Sequence, residues 1–229
     1  MSDIGVQRDG ISVAEGETTP RTVAAHDIAA FAGMVGDYSR IHLDERFGST
    51  LPHGGRIAHG LLSASWALGG LSLDAPSTMG RRDPDAYLSS CEVNYRRPVL
   101  AGTTLNCRWR TASRGGDETD GGGARTHFEM RDPEGRTVTD GHVVLCRGQG
   151  IFDAPAPRPW PAAELIADPA KILYLEDFAP GGQAGETEGR TLTEADVVNY
   201  GGFTGDSGGH PFDAEFAGRG LFGGRIAQP

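Results

Sequence analysis

Residues 57–73 read IAHGLLSASWALGGLSL. Small and hydrophobic side chains fall on every face of that stretch, and no polar stripe runs along it. A helix of this kind must be buried on all sides. Downstream the period changes. Strand-like runs occupy 87–95, 103–112, 125–131 and 136–147, and Leu105, Cys107 and Trp109 alternate with Asn106, Arg108 and Arg110, the period of two expected of a strand. Asp132-Pro-Glu-Gly135 is a type I turn sequence joining the last two runs, and 113–123 (SRGGDETDGGG) reads as a hairpin loop. Upstream, Val23, Ile28, Phe31, Ala32 and Val35 share one helical face within 22–36, and Gly36 ends that helix. Residues 37–51 are turn-rich. With a further strand at the N-terminal edge, the order predicts an α+β class, one long helix against an antiparallel sheet.

The chain repeats itself. When residues 21–60 are set against 190–229 without a gap, Arg21, Thr22, Asp27, Gly33, Gly36, Asp37, Asp44, Phe47, Gly54, Gly55, Arg56, Ile57 and Ala58 meet identical residues at one constant offset. A proline-rich stretch, FDAPAPRPWP at 152–161, separates the copies, and proline at that density suits an extended linker. The expected domains are therefore 1–150, complete; 151–172, linker; and 173–229, the opening of a second, incomplete copy. Thr193-Glu-Ala-Asp196 resembles a capping box and marks a helix start in that copy.

Composition excludes several classes. Among 229 residues the formal net charge is −10, which disfavours a nucleic-acid partner. No apolar run is long enough to span a bilayer, and the first residues lack a secretory pattern. The cysteines, Cys91, Cys107 and Cys146, have no CxxC spacing and read as free thiols in strands, in a reducing cytoplasm. There is no GxSxG elbow, no P-loop and no GxGxxG following a strand-like run.

The chemistry-bearing stretch is GDYSRIHLD at 36–44, followed by GGRIAHG at 54–60. It sets a carboxylate, Asp37, and an imidazole, His42, on what reads as a non-helical segment just before the buried helix. A helix start offers free N–H groups to a developing oxyanion, and an acid/base pair could move the protons of a water molecule. The residues alone leave a second reading open, in which Asp37 caps a turn and His42 is a satisfied buried histidine. His53 and His59 near His42 and Asp44 are read as loop and helix-start residues, not as a metal site. Trp66 reads as core.

The combined motif resembles the MaoC-like dehydratases, the family of the (R)-specific enoyl-CoA hydratases, whose pattern runs roughly G-D-x-N-P-x-H-x-D and then G-x-I-A-H-G. Here Ser39 and Arg40 replace Asn-Pro, a departure that bears on substrate preference. Asn94-Tyr-Arg-Arg-Pro-Val-Leu-Ala-Gly-Thr103 resembles the family's F-x-x-P-V-x-x-G-D strand. The resemblance implies a hot-dog fold. It also implies reversible syn hydration of a trans-2-enoyl-CoA, or the carrier-protein thioester, to an (R)-3-hydroxyacyl product. Asp37 and His42 would be the catalytic pair and Gly60 the oxyanion donor, with no metal or other cofactor. Ser39, His59, Arg96 and Arg97 are candidate substrate contacts, the arginines for CoA phosphates or else simply solvent-facing strand residues.

In the second copy Asp206 matches Asp37, but Pro211 stands where His42 does, Gln228 replaces His59 and Pro229 replaces Gly60. Proline has no N–H to donate, so this copy is expected to be chemically silent. A hot-dog thioesterase and a non-catalytic acyl-thioester-binding subunit are the competing functions. The chain is expected to form a homodimer through its first copy, or else to leave 191–229 loosely packed.

Overall fold

The structure, a computed structural model, describes residues 6–8, 11–74, 83–114, 124–148 and 189–227. The expected linker at 151–172, Arg81, Arg82, Gln228, Pro229 and most of the 113–123 loop lie outside these.

Among the described residues seven strands form one antiparallel sheet. They are β1 (Val6–Arg8), β2 (Ile11–Glu17), β3 (Arg21–Thr22), β4 (Ala86–Tyr95), β5 (Thr104–Arg114), β6 (Ala124–Arg131) and β7 (Thr137–Arg147). The order is β1-β2-β5-β6-β7-β4, with β3 also pairing with β5. Against it lies α4 (Gly60–Asp74), the helix that 57–73 foretold. Leu62, Ala67 and Leu71 are fully buried in it and Trp66 nearly so, and they pack with Leu105, Cys107, Phe128 and Val143 of the sheet. Each large apolar side chain removed from water this way contributes about 1.5–3 kcal/mol, which is why an all-round apolar helix finds its place inside the sheet. The three cysteines form no disulfide and lie in β4, β5 and β7.

Two expectations need correcting. The helix read over 22–36 begins later, as α1 (Ala25–Val35), because Val23 extends the strand: its N–H donates to the Thr103 carbonyl at 2.9 Å and its carbonyl accepts from Gly102 at 2.7 Å. Asp27 Oδ2 then accepts the Ala24 N–H and caps α1, which Gly36 closes in the left-handed conformation at φ 78°. The segment after it is not wholly turn. It carries two one-turn helices, α2 (Arg40–Leu43) and α3 (Glu45–Gly48), so His42 sits on a helical turn. Asp44 caps α3 through Phe47 N–H, as a turn residue should.

The repeat is structural as well. α5 (Glu194–Thr204), α6 (Gly209–Phe212) and α7 (Ala214–Gly218) reproduce α1, α2 and α3 at the offset seen in the sequence. The Thr193–Asp196 capping box is formed, and Gly205 closes α5 at φ 81° as Gly36 closes α1. This segment is not loosely packed. Gly69 of α4 has no Cβ where Thr204 of α5 approaches, and a methyl there would lie 2.1 Å from the Thr204 carbonyl oxygen. Ser65 and Tyr200 hydroxyls are hydrogen-bonded, Phe203 packs on Phe31 and Trp66, and Ser207 N–H donates to Ser72 Oγ. The helices of the second repeat thus cover the side of α4 that the sheet leaves open.

Candidate active site

Ile57 organises the site. Its N–H donates to the Ile41 carbonyl, its neighbour Ala58 donates to Val99, and its own carbonyl accepts from His42 Nδ1 at 2.8 Å. A carbonyl can only accept, so Nδ1 carries the proton and Nε2 is the nitrogen turned towards the cavity. Nε2 lies 3.6 Å from Asp37 Oδ2. That is too long for a direct hydrogen bond, and it leaves both atoms able to hold one water molecule.

The two Asp37 oxygens are divided between tasks. Oδ1 accepts the Ser39 N–H at 3.0 Å and the Ser39 hydroxyl. Those bonds hold the Asp37 carboxyl below its ordinary range, the Ser39 hydroxyl being the larger cause, with smaller help from His42 and His59. Oδ2 remains for chemistry. The turn-capping and catalytic readings of Asp37 are therefore compatible, one on each oxygen, with Ser39 holding Oδ1.

His59, just ahead of α4, stacks on His42 with ring centroids 3.7 Å apart and planes 24° apart. Its Nε2 faces the Asp37 backbone carbonyl at 3.0 Å, so that nitrogen carries the proton; its Nδ1 is buried without a partner. Burial is the main reason its pKa lies below the ordinary 6.5, which keeps the ring neutral beside His42.

These groups open into a cavity of about 770 Å³, whose walls include Phe31, Val35, Ile57, Val99 and Tyr95 as well as Gly60, Arg96, Arg97 and Thr139. As the first residue of α4, Gly60 has no intrahelical acceptor for its N–H. The Tyr95 ring covers it so closely that a Cβ would lie 2.8 Å from Tyr95 Cε1. Arg96 and Arg97 stand past the end of β4, at the cavity rim and not on a strand. Arg96 is already bound to Asp140 through Nε and Nη2. The structure thus gathers Asp37, His42, His59, Gly60 and both arginines around one cavity, whereas Ser39, expected as a substrate contact, is not part of its wall and is bound to Asp37 Oδ1 instead. Trp66 does not line it and is core.

Asp37, His42 and His59 offer ligand atoms within 4.8 Å of one another. His59 Nε2 already faces the Asp37 carbonyl, while Asp37 Oδ2, His42 Nε2 and His59 Nδ1 make no hydrogen bond among the described residues.

In the second repeat the corresponding geometry is missing. Asp206 Oδ1 accepts the Gly208 N–H, as Asp37 does from Ser39, but Pro211 fills the imidazole position. The neighbouring His210 turns edge-on to Phe216, with both ring nitrogens buried and unpartnered.

An antiparallel sheet curled on one long helix, with a polar pair at that helix's start, is a hot-dog domain. A MaoC domain protein from Chloroflexus aurantiacus has the same fold with a TM-score of 0.66 at 17% identity, over 93% of this chain and 66% of that one. A second solved structure, a MaoC-like dehydratase, superposes with a TM-score of 0.57 at 17% identity, over 94% and 72% of the two chains. The profile described as the MaoC like domain matches residues 13–128, and the chain belongs to that family. It is 32% identical over 96 residues to a 3-hydroxybutyryl-CoA dehydratase of Methylorubrum extorquens, 42% of this chain and 57% of that protein. It is 28% identical over 97 residues to an (R)-specific enoyl-CoA hydratase of Rhodospirillum rubrum, 42% and 63%. The matches thus span less than two thirds of either relative.

Proposed function

We propose that the chain reversibly hydrates trans-2-enoyl thioesters of coenzyme A or a carrier protein, giving (R)-3-hydroxyacyl thioesters. The observation that carries this reading is the placement of Asp37 Oδ2 and His42 Nε2, 3.6 Å apart on one wall of the cavity that Gly60 also lines. Water held by both groups adds its oxygen to C3 and gives up one proton to the pair, which delivers one proton to C2 and so ends as it began. Both transfers occur from one wall, so addition is syn. The Gly60 N–H meets the thioester oxygen, where negative charge gathers as C3 is attacked; one such donor is worth about 10²–10³ in rate. The family and the names of the two curated relatives support the reaction class. The substrate brings its own CoA, and Arg97, with no ion pair in the described structure, is the better placed of the two arginines to meet its phosphates. The second repeat is a structural partner for the first and not a second reaction centre.

The test is hydration of a short enoyl-CoA by the purified chain, followed as loss of the conjugated-enoyl absorbance, with a thiol trap in the same cuvette. Asp37→Asn and His42→Gln should each lower kcat by about 10²–10⁴. Free thiol release in step with substrate loss would make the protein a thioesterase. Tight binding without turnover would make it an acyl-thioester-binding subunit.

A further inference from the structure

One contact between the repeats occurs twice with its partners exchanged. Arg21 Nη1 donates to the Phe203 carbonyl at 2.8 Å, and Arg190 Nη1 donates to the Met34 carbonyl at 2.8 Å. Arg190 is the counterpart of Arg21, and Phe203 of Met34, at the constant offset of the repeat. The second nitrogen of each guanidinium turns to its own repeat. Arg21 Nη2 lies 3.4 Å from Asp27 Oδ1, and Arg190 Nη2 lies 2.9 Å from Asp196 Oδ1. Those aspartates use Oδ2 to cap their own helices at the Ala24 and Thr193 N–H groups, both at 2.8 Å. A contact in which residue i meets j′ while i′ meets j is the mark of a two-fold axis. The repeats are therefore related by a local pseudo-dyad, with an arginine clamp on either side of it.

The two clamps do not have equal consequences. Met34 lies in the last turn of α1, where carbonyls have no intrahelical donor and a cation is favoured by the helix dipole. α1 has no basic residue of its own in that turn, and Arg190 supplies one from across the axis. Only Val35 and the left-handed Gly36 separate Met34 from Asp37. Arg21 holds the matching carbonyl of α5, ahead of Asp206, in a repeat that carries Pro211 where the first carries the His42 imidazole.

We infer that Arg190 is a positioning residue for Asp37. By holding the Met34 carbonyl it fixes the end of α1 and the direction in which residues 36–39 leave it, and so the distance from Asp37 Oδ2 to His42 Nε2. The inference rests on the reading of Asp37 as half of the acid/base pair. It gives the silent repeat a task in the reaction, and it makes Arg21 an internal control, equivalent in structure but not in catalysis.

The experiment compares Arg190→Ala, Arg190→Lys, Arg21→Ala and Arg21→Lys in the full chain, by enoyl-CoA hydration kinetics and by the backbone amide NMR shifts of residues 37–39 and 206–208. Arg190→Ala should lower kcat about tenfold with KM held within about twofold, a fraction of the ~10²-fold that a 1 Å misplacement costs, and should move the Asp37 and Ser39 amides. Arg21→Ala should leave kcat within about twofold and move the Asp206 and Gly208 amides, even though Arg21, stacked 3.6 Å above Trp66, costs more thermal stability when lost. If Arg21→Ala does not fold, Arg21→Lys, which keeps the charge, replaces it in the comparison. Equal losses of kcat on the two sides, or unmoved 37–39 amides in Arg190→Ala, would overturn the inference. A wild-type chain that hydrates nothing would overturn the acid/base reading instead, and the amide shifts would still decide whether Arg190 sets the Asp37 loop.

Discussion

Replacing Gly60 by proline removes one hydrogen atom that the proposed reaction needs. Proline suits the first position of a helix, where its fixed φ is already helical and its missing N–H would have no intrahelical partner. The fold of α4 should therefore tolerate Gly60→Pro, while the thioester oxygen loses its donor. The steric cost is set by Tyr95, whose Cε1, Cδ1 and Cζ would lie 2.8, 2.9 and 3.0 Å from any new Cβ, against 3.4 Å or more for ordinary contact. Tyr95 is 53% exposed at the cavity mouth, so its ring can swing outward by the ~0.6 Å required. Gly60→Ala carries the same Cβ and keeps the N–H, which makes it the reference. The ratio of kcat between the alanine and proline variants should be about 10²–10³, the worth of one oxyanion donor, or about 2.7–4 kcal/mol. The assay is enoyl-CoA hydration at saturating substrate, with circular dichroism to show that both variants fold. Equal kcat values would refute the role of the Gly60 N–H and leave Tyr95 packing as the only reason for glycine there.

Ser39→Ala removes the hydroxyl that does most to depress the Asp37 pKa, so the acid limb of kcat/KM, where the Asp37 carboxylate gains its proton, should move to higher pH; an unmoved limb would show that Asp37 ionisation does not control the rate. His59 has its pKa lowered by burial. Its contribution to stability is complete above the ordinary 6.5 and is lost as pH falls from there through the folded value. Urea midpoints should decline below about pH 6.5, less steeply in His59→Gln, and parallel slopes would count against a buried neutral ring. Gly69→Ala would set a methyl 2.1 Å from the Thr204 carbonyl oxygen, and overpacking of this kind should cost about 1–3 kcal/mol in urea unfolding; a change under about 0.5 kcal/mol would mean that α5 does not press on α4 in solution.

What could be read from the sequence was what is written locally. The all-round apolar α4, the alternation in β5, the Asp132–Gly135 turn and the Thr193 capping box each depend on neighbours within a few positions, and all are present. The start of α1 was misread because Val23 fits a helical face as well as a strand, and only the distant Thr103 and Gly102 decide between them. At the site, the motif brought forward Asp37, His42 and Gly60. It could not divide the oxygens of Asp37 between Ser39 and His42, nor stack His59 on His42, since spacing along a chain says nothing about ring planes. The 94–103 stretch carries no sign that Tyr95 lies above Gly60, because its register against α4 is a tertiary fact. The docking of 189–227 on α4 was missed for the same reason. The clue to it was Gly69, whose need for glycine shows only when Thr204 is beside it.

The acceptors of the two arginine clamps are backbone carbonyls. Met34 and Phe203 are different residues in equivalent places, yet each receives its arginine at the same 2.8 Å. Mutation rewrites side chains and leaves the peptide oxygen where the helix puts it. A joint built on such atoms is indifferent to most of the drift that separates duplicated sequences. The second repeat carries Pro211 where the first carries His42, and its grip on the first does not depend on which side chain stands there, only on two arginines and the helix ends they hold.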